Sequence, residues 1–392
     1  MSDPIVIVGI ARTAMGGMSG VFSEMTAPQL GAEAIKGALA DAGVAPDDVS
    51  EVLMGCVLPA GLGQAPARQA AIGAGLPQST PSSTVNKVCG SGMKTVMMAA
   101  DSIAAGHAEI VVAGGMESMT NAPYMLTKAR SGYRMGHGEL LDHMFLDGLQ
   151  NAYDGGLMGN FAEATAEKYQ FSRQQQDEFA INSLNKANAA IKAGHFQREI
   201  VPVTVKSRKG ETLVAVDEQP GNAKPDKIPT LKPAFKKDGT VTAANASSIS
   251  DGAAALVLMR QSTAQKKGIK PLAVIKGQTQ FAQAPEWFTT APVGAMKKLL
   301  EQVNWSVSEV DLFEINEAFA VVTMAAARDL EIPAEKINVH GGACALGHPL
   351  GASGARILVT LIAALQTYGK KHGVASLCIG GGEATAMAVE LI

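Results

Sequence analysis

One pattern occurs twice in this chain, and it narrows the possible folds more than any other feature. Val88-Cys89-Gly90-Ser91-Gly92 opens a helical stretch leading to the apolar run Ile110-Val111-Val112-Ala113 and then to Gly114-Gly115-Met116-Glu117. Near the C-terminus, Gly347-His348-Pro349-Leu350-Gly351-Ala352-Ser353-Gly354 opens another, leading to Ala375–Cys378 and then to Gly380-Gly381-Gly382-Glu383. Glycine-rich turn, helix, strand and Gly-Gly-x-Glu in the same order predict a duplicated α/β unit, with reactive residues at corresponding turns beside a shared interface.

The flanks keep the same rhythm throughout. Strand-like Ile5–Gly9 precedes a helix over Ala27–Gly43, then strand Glu51–Cys56, helix Ala65–Gly75, a strand near Ser83–Val85, helix Gly92–Gly106 and strand Ile110–Ala113. Strands apolar throughout belong to sheets covered by helices on both faces, so an α/β layered fold is expected. Aromatic residues make up only 5% of the chain, which leaves Val, Ile, Leu, Ala and Met to build the core. Stretches such as Met97–Ala105 and Val322–Arg328 are small-sided almost all round, which predicts one helix buried between layers near the centre. Between 120 and 250 the character changes to polar helix, from Arg173 onward, and to loop punctuated by Pro202, Pro220, Pro225, Pro229 and Pro233. Three parts are expected: an N-terminal α/β half over 1–119, completed by 251–270; an inserted loop domain over 120–250; and a C-terminal α/β half over 271–392.

Charge and cysteine usage exclude several classes. A net charge of −3 supplies no field that would hold nucleic acid or an anionic membrane, so neither is an expected partner. Cys56, Cys89, Cys344 and Cys378 have neither the density nor the CxxC spacing of a disulfide framework or zinc site, which points to a reduced, cytoplasmic setting and no metal. No uninterrupted apolar run reaches the roughly 18 to 20 residues of a membrane span. Met1-Ser2-Asp3-Pro4 runs straight into a strand with no leader-like pattern, and Ala388-Val389-Glu390-Leu391-Ile392 ends without a targeting tripeptide.

Four residues have settings suited to chemistry. Cys89 sits between a strand and the first turn of a helix, where the helix dipole and free N–H groups would favour thiolate; a buried structural thiol is the plainer alternative. His348 is rigidly presented by Pro349, which suits a base. The other six histidines read as surface or capping residues. Cys378 ends an apolar strand and enters a triple glycine whose N–H groups can face an oxyanion; a core cysteine is its plainer reading. Asn316 either caps the Ala-rich helix after it or orients a water.

These residues carry a resemblance. Val85-Asn86-Lys87-Val88-Cys89-Gly90-Ser91-Gly92, Asn316-Glu317-Ala318-Phe319-Ala320, Gly341 to Gly354 around His348, and Cys378-Ile379-Gly380-Gly381-Gly382 are similar, in order and spacing, to the four signature blocks of the thiolases. The likeness extends over essentially the whole chain, including Gly9-Ile10-Ala11-Arg12-Thr13-Ala14 and Gly115-Met116-Glu117-Ser118-Met119. It implies a duplicated α/β/α/β/α layered fold with an inserted loop domain. It also implies an acetyl-CoA C-acetyltransferase, an acyltransferase of fatty acid metabolism that condenses two acetyl-CoA or cleaves short 3-oxoacyl-CoA. Cys89 would take the acyl group with His348 assisting its deprotonation, and Cys378 would move the C2 proton. One oxyanion hole would be His348 plus a water held by Asn316, the other the N–H groups of Cys89 and Gly380.

Coenzyme A thioesters are then substrates, no further cofactor is needed, and a homodimer or homotetramer is expected. Ser247, Ala318, Phe319, Phe288, Met158, Phe235 and Lys227 would contact the acyl-CoA. The insertion has 16 basic against 14 acidic residues, and Lys206, Arg208, Lys209, Lys224, Lys227, Lys232, Lys236 and Lys237 gather in its second half, where the family binds the CoA nucleotide. Leu157 stands where many members have His, Phe288-Thr289 where many have Met-Gly, Cys344 where an aliphatic residue is commoner, and Glu383-Ala384-Thr385 departs from the usual run. These changes concern chain length and branching, so a broader-chain or 2-methyl-branched specificity is an alternative. A ketosynthase of the same superfamily is disfavoured by the second reactive cysteine, and a non-catalytic acyl-CoA-binding scaffold by the intact quartet.

Overall fold

The computed structural model describes residues 3–208 and 210–392. Nine strands form the main sheet: β1 (Ile5–Arg12), β2 (Glu51–Gly55), β3 (Ser82–Val85), β4 (Ile110–Ser118), β5 (Ser250–Arg260), β6 (Ala273–Ala282), β7 (Leu312–Ile315), β8 (His372–Ile379) and β9 (Glu383–Leu391), with the short Gly16–Gly17 strand paired to β5. Their order is β7-β8-β9-β6-β1-β5-β4-β2-β3. From the middle outward each half runs in the same way: first strand, last strand, the strand after the central helix, then a parallel neighbour. The halves meet where β1 and β6 pair through Val6 with Val274 and Ile7 with Ala273. The duplication expected from the repeated turns is therefore a duplication of topology.

Helices cover both faces, as the unbroken apolar strands require. On one side of the N-terminal half lie α1 (Ala27–Ala42) and α2 (Pro66–Gly73). Between the halves lie α3 (Ser91–Ala104) and α8 (Leu350–Tyr368), which share one core with both sets of strands. On the far side of the C-terminal half, α6 (Ala291–Val303) packs with strands β7 to β9 and the end of α7 (Ala320–Asp329). The insertion contributes α4 (Met158–Tyr169), α5 (Arg173–Ala193) and the hairpin of Val203–Ser207 with Gly210–Val214. Arg12, fully buried at the end of β1, clamps the insertion to the body through Glu199 at 2.5 Å and Asp217 at 2.7 Å.

Three expectations change. By length and hydropathy α8 is apolar enough to cross a membrane, yet 89% of it is buried, because it is the central helix between the two halves. The strand expected over Ile110–Ala113 runs on to Ser118, so Gly114 and Gly115 lie inside β4, where a Cβ would collide with the Ala254 carbonyl at Gly114 and with the Gly351 carbonyl at Gly115, and these glycines serve close backbone approach. Gly381 and Gly382, at φ +94° and +90°, do make the turn between β8 and β9. His143 and His340 are buried rather than exposed, and burial among His195, Phe196 and Tyr368 pushes His340 down to about 4.

Candidate active site

Cys89 stands on a strained turn between β3 and α3. Val88 has φ +47°, a left-handed conformation that a β-branched residue adopts only when its surroundings enforce it. Three bonds do so: Asn86 Oδ1 accepts from Val88 N–H at 2.9 Å, Ser91 Oγ accepts from Lys87 N–H at 2.8 Å, and the same hydroxyl donates to Val88 O at 2.6 Å. The turn aims Cys89 into a cavity of about 360 Å³, whose wall also includes Leu157, Met158, Phe235, Ser247, Phe288, Ala318, Phe319, His348 and Gly380. Residues far apart in sequence, drawn from both halves and the insertion, thus converge on one thiol.

His348 is oriented by a short hydrogen-bonded relay. The Ser353 hydroxyl donates to Pro349 O at 2.8 Å, so at 2.5 Å from the ring it accepts from His348 Nδ1–H. Nδ1 therefore carries the proton and Nε2 the lone pair, buried and with no hydrogen-bonding partner among the described residues. That is the geometry of a base. Asn316 packs with Nδ2 3.5 Å from the ring, and its Oδ1 is likewise without a partner among the described residues. Its capping role falls away, because α7 begins only at Ala320 with Phe319 as its cap. Cys378, at the end of β8, and Asn316 are fully buried and form no part of the cavity wall itself.

Burial decides the resting protonation states. The Cys89 thiol is pushed up to about 11 by burial, against the pull of the N–H groups of Gly380 and Cys89 itself, with the Glu117 charge adding to the rise. The thiolate expected from the helix dipole is therefore not the resting form. His348 is pushed down to about 3, first by burial and then by the positive Arg356. Burial and then the neighbouring Cys89 raise Cys378 well above an ordinary thiol. The free site therefore holds two thiols and a neutral imidazole. Alkylation of Cys89 by iodoacetamide, followed by mass spectrometry, is expected to rise about tenfold per pH unit from pH 7 to pH 10, since the thiolate fraction of a group titrating near 11 does so. A rate flat across that range would mean a preformed thiolate.

The other residues singled out divide clearly. Met158, Phe235, Ser247, Phe288, Ala318 and Phe319 line the cavity, with Ser247 N–H bonded to Ala318 O at 2.9 Å. Lys227 does not; with Lys224 it lines a neighbouring cavity of about 330 Å³ that shares Ala243 and Ser248 with the first. Lys209 lies outside the described residues. Phe288 meets Phe319 and Phe161 edge-on at 6.5 and 6.3 Å. Thr289 turns away to Thr165, hydroxyl to hydroxyl at 2.6 Å, anchoring that wall to α4. Sequence reasoning missed Ser353 and the strain at Val88; Ser353 stood in the His348 block, but only the folded relay shows what it does.

Comparison with known proteins bears on the whole chain. The family model described as "Thiolase, N-terminal domain" matches residues 5–262, and "Thiolase, C-terminal domain" matches residues 269–391. An acetyl-CoA acetyltransferase of Cupriavidus necator is 51% identical over 100% of both chains. Acetyl-CoA acetyltransferase 2 of Arabidopsis thaliana is 53% identical, over 99% of this chain and 97% of its own. The cytosolic acetyl-CoA acetyltransferase of Mus musculus is 51% identical, over 99% and 98%. The crystal structure of the Bacillus anthracis acetyl-CoA acetyltransferase superposes with a TM-score of 0.97 at 40% identity, covering 100% of this chain and 99% of that one.

Proposed function

The chain belongs to the thiolase family, and from that premise we propose that it is an acetyl-CoA C-acetyltransferase, joining two acetyl-CoA into acetoacetyl-CoA and CoA and cleaving short 3-oxoacyl-CoA in reverse. The observation that carries this reading is the convergence of the Cys89 thiol, the His348 Nε2 lone pair and the Gly380 amide on one acyl-sized cavity.

In thiolysis, Cys89 attacks the 3-oxo carbon as its proton passes to His348 Nε2. The N–H groups of Cys89 and Gly380 receive the developing oxyanion. The C2–C3 bond then breaks, leaving an acyl group on Cys89 and the enolate of acetyl-CoA. His348, now protonated at Nε2, donates to the enolate oxygen together with a water held by Asn316, while Cys378 gives its proton to C2. Free CoA-SH then attacks the acyl thioester, its proton passing to the Cys378 thiolate while His348 Nε2 returns its proton to the departing Cys89 sulfur, so that both thiols and the neutral imidazole are restored. Condensation is the same path reversed. The resting protonated Cys378 is already the acid that cleavage requires, and no cofactor beyond the CoA thioesters enters any step.

Met158, Phe235, Phe288, Ala318 and Phe319 would enclose the acyl group, Ser247 would lie beside the pantetheine, and Lys227 in the adjoining cavity would face the nucleotide end of CoA. The domain limits 1–119 with 251–270, 120–250 and 271–392 belong to the same proposal. So does a homodimer or homotetramer, to which the exposed Tyr124, Leu126, Met135 and Leu140 give an apolar arm. A cytoplasmic setting is suggested by the relatives named cytosolic. A thiolysis series over 3-oxoacyl-CoA of increasing length, including 2-methylacetoacetyl-CoA, tests the substrate. Acetoacetyl-CoA is expected to be cleaved fastest, with a fall of about tenfold or more by eight carbons as the chain meets Phe288 and Phe319. Equal rates across the series would support the broader-chain alternative instead.

A further inference from the structure

The Gly-Gly-x-Glu ends of the two repeats hold a pair of carboxylates that the reaction steps above do not use. Glu117, next to last in β4, is fully buried. Its carboxylate accepts from Val57 N–H at 2.9 Å and Leu58 N–H at 3.1 Å in its own half, with Cys56 Sγ at 3.6 Å. Its third backbone donor crosses to the other half: Gly351 N–H, at 2.8 Å. Gly351 lies in the first turn of α8, three residues after His348 and two before Ser353, which holds the imidazole. The crossing depends on glycine, since a Cβ at Gly351 would stand 2.8 Å from Glu117 Oε2 and 2.9 Å from Cys56 Cα.

Glu383 makes the reciprocal contact. It opens β9 in the C-terminal half, directly after the turn bearing Gly380, and pairs with Lys87 of the N-terminal half, two residues before Cys89. The Lys87 amide is in turn bonded to Ser91, the residue that locks Val88. Each half thus uses its own glutamate to grip the catalytic loop of the other.

We propose that Glu117 and Glu383 are positioning residues, Glu117 setting His348 through Gly351 and the start of α8, and Glu383 setting Cys89 through Lys87 against the Gly380 amide. A purely structural filler would not need a carboxyl at Glu117, where burial pushes it up to about 7 and a neutral side chain would be less costly to bury. Placed at the positive end of a 19-residue helix, the carboxylate instead fixes a direction. The Lys87–Glu383 pair is partly exposed, with 21% and 38% of its side chains accessible, so its grip is the weaker of the two.

This inference rests on Cys89 and His348 acting as proposed above, and rapid-quench acylation of Cys89 by acetoacetyl-CoA separates the two. Wild-type enzyme that takes no acyl group would overturn the proposed function itself. With wild type acylated, Glu117→Gln is expected to slow acylation about tenfold or more while KM stays within about twofold, because only the attack geometry is lost. Its alkylation by iodoacetamide at pH 10, where solvent and not His348 generates the thiolate, should be no slower than in wild type, because losing the Glu117 charge removes one of the influences that raise the Cys89 thiol. Glu383→Gln is expected to slow acylation about threefold at low salt, the gap closing in 1 M KCl as the wild-type pair is screened. A folded Glu117→Gln enzyme acylated at the wild-type rate, or one altered in KM alone, would overturn the Glu117 tether. A Glu383→Gln enzyme identical to wild type at low salt would overturn the other. If Glu117→Gln does not fold, Glu117→Asp, which keeps the charge but shortens the reach to Gly351, is held to the same criteria.

Discussion

Replacing Cys89 with alanine is expected to abolish the acyl-enzyme and lower turnover by a factor on the order of 10⁴ or more, because the covalent route is lost while the cavity that binds the thioester remains. Only a sulfur is removed, and the bonds that hold Val88 come from Asn86 and Ser91, so the turn and the fold are expected to persist. Acid quench after mixing with radiolabelled acetyl-CoA, together with intact-mass measurement, reads the missing acetyl group directly. Retained label or retained turnover would sink the assignment. The size of the effect follows from the resting state. With the Cys89 thiol held at about 11, on the order of 10⁻⁴ of the enzyme carries a thiolate at pH 7. The proposed attack therefore cannot rely on a standing thiolate and would move the proton to His348 Nε2 as it proceeds, and among the described residues no other thiol lines the cavity to take over.

The candidate site residues are legible in the sequence because each sits in a short block whose local setting suggests a role: a cysteine before a glycine turn, a histidine before proline, a cysteine before a triple glycine. The layered fold is legible for a similar local reason, since unbroken apolar strands between Ala-rich helices admit few other arrangements. What escapes is whatever depends on contacts between the halves. Gly114 and Gly115 read as lying beyond the strand, yet they are inside it: the missing side chain of Gly115 lets α8 approach through Gly351, over 200 positions away in sequence, and that of Gly114 lets β5 approach. The protonation of Cys89 is misread from its helix because burial outweighs the dipole, and burial is a property of the assembled molecule. The tautomer of His348 depends on a hydroxyl that itself must first donate to Pro349 O. Lys227 reads as one of a basic cluster, while the fold assigns it to an adjoining cavity that shares only part of the first cavity's wall.

Replacing Cys378 with alanine is expected to divide the reaction. Acylation of Cys89 by acetyl-CoA needs His348 and the Gly380 amide, both left in place, so the label on Cys89 should form at a measurable rate. The carbon–carbon step needs a group that gives or takes the C2 proton, and losing such a group costs about 10² to 10⁴ in rate. Acetoacetyl-CoA synthesis and cleavage should therefore fall by that factor while half-reaction labelling survives. The environment explains why a thiol can serve. Burial raises Cys378 first and the charge that an ionised Cys89 would carry second, so at neutral pH, where Cys89 is a thiol or an acyl thioester, burial is what keeps Cys378 protonated. Before acylation Cys378 stays protonated, which is the form cleavage needs. Condensation at the wild-type rate in Cys378→Ala would mean that His348 performs both proton transfers and that the two cysteines do not share the work.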